Sequence, residues 1–398
     1  MSFVSVRIGS GLSKGPDPRV ATIEAGTDAR QALDGRRADL VLVFCAGAHL
    51  AAPEATLEGV REALDPRALI GCGAGGVLAR GREVERGTAV AVWAASFDAD
   101  PSHAVTAFHA TASAAPGATE IEGLPDVRGA SAVILIPDPY SFPADRGLEQ
   151  IADQAAGVPV LGGISSARTL DGGAALFCGD AVAADGAVGV ILREIDVLPC
   201  VSQGAAPIGP PLTVTAAEGH VIREIDGRPA LAALRDAIEL LEPGERDSVG
   251  GGLLLGIAIG DERHDDRPGR PDDRDRFLVR GIIGADPDAG TVAVGAAVLP
   301  GRVVRLHMRD AGSADRDLRT GLELRRAALG GKAAGALVFT CNGRGRAMFD
   351  AGDHDADAVD QALGGAATAG FMAAGEIGPV GGENFLHGFT ATVAVFGA

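Results

Sequence analysis

Lysine is nearly missing from this 398-residue chain: Lys14 and Lys332 are its only two, and every other basic residue is arginine, a bias that reads as genomic composition. Aromatic side chains make up 4%, with one tryptophan (Trp93) and one tyrosine (Tyr140), too few for a base-stacking platform. Basic charge is in deficit as well. The chain carries 53 acidic against 35 basic residues and a formal charge of −18, whereas nucleic-acid binders draw affinity from basic surfaces that release counterions. Five cysteines (Cys45, Cys72, Cys178, Cys200, Cys341) are scattered without a CxxC pair, which argues against a zinc knuckle or a disulfide framework. No apolar run approaches the ~20 residues that span a bilayer. The opening MSFVSVRIGS shows no charged region leading into an apolar core, so no secretory signal is expected there. A soluble, cytoplasmic protein is expected, with neither nucleic acid nor membrane as a partner.

Hydrophobic residues at 46% and charged residues at 22% are the ordinary balance for a chain that buries a core. With so few aromatics, that core must be built from Val, Leu, Ile and Ala. The 58 glycines point to tight turns and close backbone approaches. At ~100–200 residues per domain, two or three domains are expected.

Three stretches read alike. In the first, the buried-strand run Ala38–Phe44 precedes a helix opened by Pro53 and Glu54, with Leu57, Val60 and Leu64 on one face. A glycine-punctuated strand, Ala68–Leu78, a polar turn, Arg80–Gly87, and a last strand, Thr88–Phe97, complete the unit. The second copy runs from Ala130 to Leu192: SAVILI, a helix carrying Leu148, Ile151 and Ala155, the glycine strand VPVLGGIS, then AALFCGD and GAVGVIL. The third runs from Ala334 to Gly397: GALVFT, a helix with Ala356, Val359 and Leu363, the glycine strand AGFMAAGEIG, and FTATVAVF. A degraded fourth copy spans Gly251–Leu299, with a charged insertion in place of its helix.

A strand–helix–strand step requires a right-handed crossover and parallel pairing, while the last two strands of each unit should pair antiparallel. The expected class is therefore α/β (α+β), with mixed parallel and antiparallel sheets covered by helices and built from repeated β-α-β-β units. The Pro/Gly stretch Ala206–Pro211 divides an N-terminal half, 26–205, from a C-terminal half, 212–398. After it, Pro229 opens a helix marked by Leu231, Leu234, Ile238 and Leu241. The segment Asp261–Arg276 mixes charges with prolines and reads as a solvated loop, so His264 among its aspartates is a weak metal signal.

Gly71, Gly73 and Gly76 match GxGxxG after a strand, but a dinucleotide site needs a helix to start there, and the chain enters another strand. Close strand packing explains these glycines better. SGLSKGP, from Ser10, lacks the spacing of a phosphate loop. CNGRG, Cys341–Gly345, stands where a buried strand ends before a helix, the usual exit for ligand-contacting loops. Arg344 there offers a planar fork for a carboxylate, or serves as a structural arginine in a turn. GEIGPVGGENFLHGF, Gly375–Phe389, gathers Glu376, Glu383, Asn384 and His387 in a glycine-rich connection. Glu383 and His387 are four apart, a spacing that aligns metal ligands only on a helix, which the glycines disfavour. A Cys341–His387 thiol nucleophile is conceivable, although buried cysteine is more commonly inert.

CNGRG at a strand end, followed by GEIGPVGGENFLHGFTAT, resembles the C-terminal signature of the FIST family. LVLVF, LIGCGAGG and GREVERGTAVAV in the first copy are similar to that family's N-terminal region, so the resemblance runs from about Gly26 to the end. It implies an intracellular sensory module for signal transduction in bacteria, binding small ligands such as amino acids. No cofactor is expected. The motif positions it marks are Cys341, Asn342, Arg344, Glu376 and Asn384, with Gly71, Arg82 and Glu83 in the first copy. The ligand contacts expected from the residues and the resemblance together are Cys341, Asn342, Arg344, Glu376, Asn384, His387, Arg82 and Glu83. Because the repeats fill the chain, the output partner is expected to be a separate signalling protein. Two readings from other classes stand beside this one: a hydrolase-like enzyme using the Cys341 thiol, and a protein-interaction scaffold.

Overall fold

The computed structural model describes residues 5–98, 100–115, 118–242, 246, 253–259 and 277–398; the charged segment Asp261–Arg276, with His264, lies outside the described residues. The protein is an α+β chain with mixed sheets, and it divides into two units. The first comprises Met1–Ser202 and Asp317–Ala398, and the second Gln203–Arg316. Copies one, two and three therefore share the first unit.

Each copy opens on a strand made almost wholly of buried apolar residues: Leu40–Ala46, Ala132–Pro137 and Ala333–Cys341. A helix crossover then brings in the glycine strand, Ala68–Ala74, Val160–Gly163 or Ala367–Ala373, parallel to the opening strand. Buried on both faces, these strands need no polar alternation. Gly71, Gly162 and Gly370 stand opposite Val43, Leu135 and Val338. A Cβ at these glycines would fall 1.9, 1.9 and 1.7 Å from the carbonyl oxygens of those partners. Only a residue without a side chain fits, which accounts for Gly71 in the apparent dinucleotide fingerprint.

The closing strand does not pair with the glycine strand, contrary to the expectation from the short turn. Ala89–Phe97, Ala187–Leu192 and Ala391–Gly397 instead lie antiparallel to the opening strands of their own copies. Between glycine strand and closing strand the chain leaves its sheet and forms a hairpin on another. The hairpin Val77–Ala79/Arg82–Val84 of copy one joins the glycine strand of copy three. Leu176–Cys178/Ala181–Ala183 of copy two joins copy one. Glu376–Val380/Glu383–His387 of copy three joins copy two. The exchange is cyclic. A further strand flanks each closing strand: Val6–Ser13, Val105–Ala115 and Val197–Ser202.

The inner faces of the three sheets share one core, in which Phe44 and Phe339 pack on Phe371 and Trp93 packs on Phe396. Helices cover the outer faces. Pro18–Gln31 and Pro53–Leu64 bury Ala25, Val60 and Leu64 against the first sheet. Leu148 and Ile151 of Ala144–Gln154 cover the second, and Ala356 and Val359 of His354–Ala362 the third.

In the second unit, Leu253–Ala258 pairs antiparallel with Phe277–Asp286, which pairs antiparallel with Thr291–Val294. This stretch therefore lacks the parallel crossover of the other copies, correcting its reading as a degraded fourth. The long strand Ala205–Glu218 pairs with Val303–Arg309 along one part and Val221–Ile225 along another, so this sheet closes on itself. Ala230–Glu239 packs Ala233, Leu234 and Ala237 into its core.

Candidate functional site

Copy three departs from its siblings at the hairpin it receives. Opposite Gly71, Gly162 and Gly370 on the received hairpins stand Phe177, Ile377 and Leu78. The residues across those hairpins are Val182, Leu386 and Glu83. Two are apolar; the third is a carboxylate that is 8% exposed. Glu83 accepts a hydrogen bond through Oε1 from the Ala356 N–H at 3.0 Å, in the first turn of the helix His354–Ala362. An acidic group is favourable at that end of a helix. Its Oε2 is buried without a hydrogen-bond partner. Burial pushes this carboxyl up to about 7, opposed by the backbone N–H groups of Ala356 and Asp355 and reinforced by the nearby charges of Asp355 and Glu85.

The CNGRG turn meets the same helix end. Asn342 N–H donates to the Ala373 carbonyl of the glycine strand at 2.9 Å, and Arg344 N–H to the Cys341 carbonyl at 2.9 Å, which folds the turn back on its own strand. Gly345, at φ +60°, redirects the chain into the short helix Arg346–Phe349. Arg344 is fully buried and forks onto Asp355, with Nε to Oδ2 at 2.7 Å and Nη2 to Oδ1 at 2.8 Å. Its guanidinium lies 5.1 Å from the Phe349 ring centroid, a cation–π distance. Asp355 also accepts from Thr340 Oγ1 and bonds His354 Nδ1 at 3.0 Å. Burial alone would raise the Asp355 carboxyl, but Arg344 and these hydrogen bonds hold it well below the usual carboxylate range. Arg344 Nη1 is buried with no hydrogen-bond partner.

These groups wall a cleft of about 850 Å³, lined among others by Lys14, Glu83, Glu85, Asn342, Arg344 and Asp353. Arg82 lines a neighbouring cleft of about 470 Å³, where it pairs with Asp353 Oδ2 at 2.9 Å. Asp353 Oδ1 accepts the Glu83 N–H at 2.7 Å. Two buried side chains, an arginine and a carboxyl, each with one polar atom lacking a hydrogen-bond partner, thus line one concavity within the first unit. No cluster of metal-ligating side chains occurs among the described residues.

The FIST N domain pattern matches residues 39–228 and the FIST C domain pattern residues 230–379. The chain belongs to the FIST family. FIST domains are sensory domains of signal transduction. The uncharacterized protein Mb0898c of Mycobacterium bovis is 42% identical over 392 residues, covering 98% of this chain and 99% of that one. The uncharacterized protein Rv0628c of Mycobacterium tuberculosis is also 42% identical over 392 residues, covering 98% of this chain and 100% of its own length.

The residues expected at the site do not all meet in one cleft. Glu83, Asn342 and Arg344 line the larger cleft, and Arg82 the smaller. Cys341 and Glu376 line neither cleft and are buried side by side. Glu376 accepts through Oε2 from the Thr390 N–H at 3.0 Å and from Thr390 Oγ1 at 2.8 Å. Burial pushes both the Cys341 thiol and the Glu376 carboxyl upward. Asn384 lies on the hairpin held by copy two, where Oδ1 accepts from Val160 N–H and Nδ2 donates to the Val158 carbonyl, both at 2.8 Å. His387, also buried, bonds the Gly378 carbonyl through Nε2 at 2.9 Å. Sequence reasoning passed over Asp355, Asp353 and Glu85. The acidic run GDHDAD ahead of an apolar helix face was the signal available for the first two.

Proposed function

We propose that this FIST protein is a cytoplasmic sensor whose first unit binds a small polar ligand, amino acids among the candidates, in the cleft between the CNGRG turn and the hairpin of copy one. One observation carries the reading: Glu83 and Arg344 line the same cleft, and each keeps one buried polar atom, Oε2 and Nη1, without a hydrogen-bond partner. A buried polar group left unpaired costs about 1–3 kcal/mol. Fold stability alone would favour an apolar residue such as the Val182 and Leu386 found at the matching positions. A ligand that completes both groups recovers that cost on binding, and occupancy passes to a separate signalling protein. The thiol-enzyme reading has less support, because burial keeps Cys341 protonated at neutral pH and a thiol nucleophile acts as thiolate. A thermal-shift screen with the free amino acids tests the proposal: a hit should raise Tm, and Arg344→Ala should abolish that gain. A screen without any hit would sink it.

A further inference from the structure

The charge balance of the cleft wall tells which end of a ligand enters first. Arg344 is the deepest cation, but its fork is closed on Asp355 and its charge is matched there. Glu83 has no such match. The groups around it are Asp353, Asp355 and the His354 imidazole at the end of the helix it caps, Glu85 from its own segment, and Arg82, which is turned to Asp353. Arg346 reaches Glu85 at 4.0 Å, the charge of Lys14 acts on Asp353, and Arg86 also lines the cleft. The charges that act on Glu83 itself, those of Asp355 and Glu85, are both acidic. An incoming carboxylate would meet repulsion there and find the arginine fork occupied.

We infer that the inner wall takes a cationic group of the ligand, a protonated amine or a guanidinium, on Glu83 Oε2, while Arg344 Nη1 donates to an uncharged acceptor beside it. This rests on the cleft being the ligand site and specifies how that site reads its ligand. Lone pairs on Glu83 Oε2 need N–H donors, and an ammonium or guanidinium brings them with the opposite charge, making a charge-assisted bond in a low-dielectric wall. Arg344 has a donor left and no acceptor. Because Glu83 titrates near neutrality, a cation binds its ionised form, and binding displaces the proton from the fraction still protonated.

The test is calorimetric titration of the full chain with three probe sets: amines without a carboxylate (agmatine, ethylamine), zwitterions (arginine, glycine), and acids without an amine (succinate, propionate). Binders should come from the first two sets and none from the third. Their affinity should fall about tenfold from pH 8 to pH 6 as Glu83 takes up its proton. Glu83→Gln should weaken them at least tenfold at pH 8 and flatten the pH dependence. Circular dichroism checks that the variant folds; if it does not, the wild-type pH dependence decides. Acids binding as well as amines, or affinity indifferent to pH, would overturn the inference and leave the cleft a ligand site. Silence from all three sets would overturn the ligand-site reading itself, and this inference with it.

Discussion

Arg344 and Asp355 close on each other as a two-bonded fork, 2.7 and 2.8 Å, with both side chains out of water. They join the CNGRG turn to the first turn of the helix His354–Ala362, eleven residues along the chain. Asp355 further holds Thr340 and His354, so one carboxylate ties strand end, turn and helix together.

Breaking that pair should be expensive. Arg344→Ala leaves a buried carboxylate uncompensated, a change that costs about 3–5 kcal/mol. Arg344→Lys should recover little, since an ammonium cannot fork. The urea midpoint at pH 7 reports both. Because the Asp355 carboxyl is depressed in the folded state, its contribution is present above the ordinary value near 3.9 and lost as pH falls below it. Asp355→Asn should therefore flatten the acid limb of the stability curve.

Glu83 works in the opposite sense. Its folded carboxyl titrates near 7 against 4.5 when unfolded, so the folded state holds the proton more tightly. Stability then declines as pH rises from about 4.5 to 7 and is level beyond. Glu83→Gln should raise Tm relative to the parent at pH 8 and give no gain at pH 4. Melting curves at the two pH values decide.

Gly71→Ala, Gly162→Ala and Gly370→Ala should each prevent native folding or cost several times the ~1 kcal/mol of an ordinary substitution. The added Cβ would sit inside the van der Waals shell of a paired strand's carbonyl oxygen. Gly388, with nothing within 4 Å of a built Cβ, is the control and should tolerate alanine. Soluble yield and Tm distinguish them.

Cys341 should label slowly with iodoacetamide at pH 7.5 in the native protein and readily once urea unfolds it, because burial holds the thiol protonated. Native labelling as fast as that of a free thiol would restore the nucleophile reading.

Asn384→Ala should remove both hydrogen bonds that clamp the copy-three hairpin to residues 158 and 160. Each buried backbone group left unpaired costs about 1–3 kcal/mol. A lowered Tm would show the clamp; an unchanged Tm would assign the side chain another role.

The opening and glycine strands were readable because period and apolar runs are local properties. Leu57, Val60 and Leu64 do face the core. The glycine strand of copy one was read four residues too long, to Leu78, because Val77–Ala79 is itself apolar strand sequence that happens to belong to another sheet. At the candidate site, CNGRG was legible as a turn between a buried strand and a helix. That Arg344 would be met by Asp355 was not, since nothing in the spacing says which carboxylate a buried arginine will find.

What this sequence determined by itself is the repeated unit: which segments are strands, which are helices, and where glycine must stand. Those follow from side-chain periodicity and from steric limits that act within a few residues. Tertiary structure decided the cyclic exchange of hairpins. Pairing between Gly370 and Leu78, nearly three hundred residues apart, depends on which free strand edge is nearest once three sheets share a core. That choice brings Glu83 of the first copy to the helix end of the third, and so makes a cleft that neither copy contains alone.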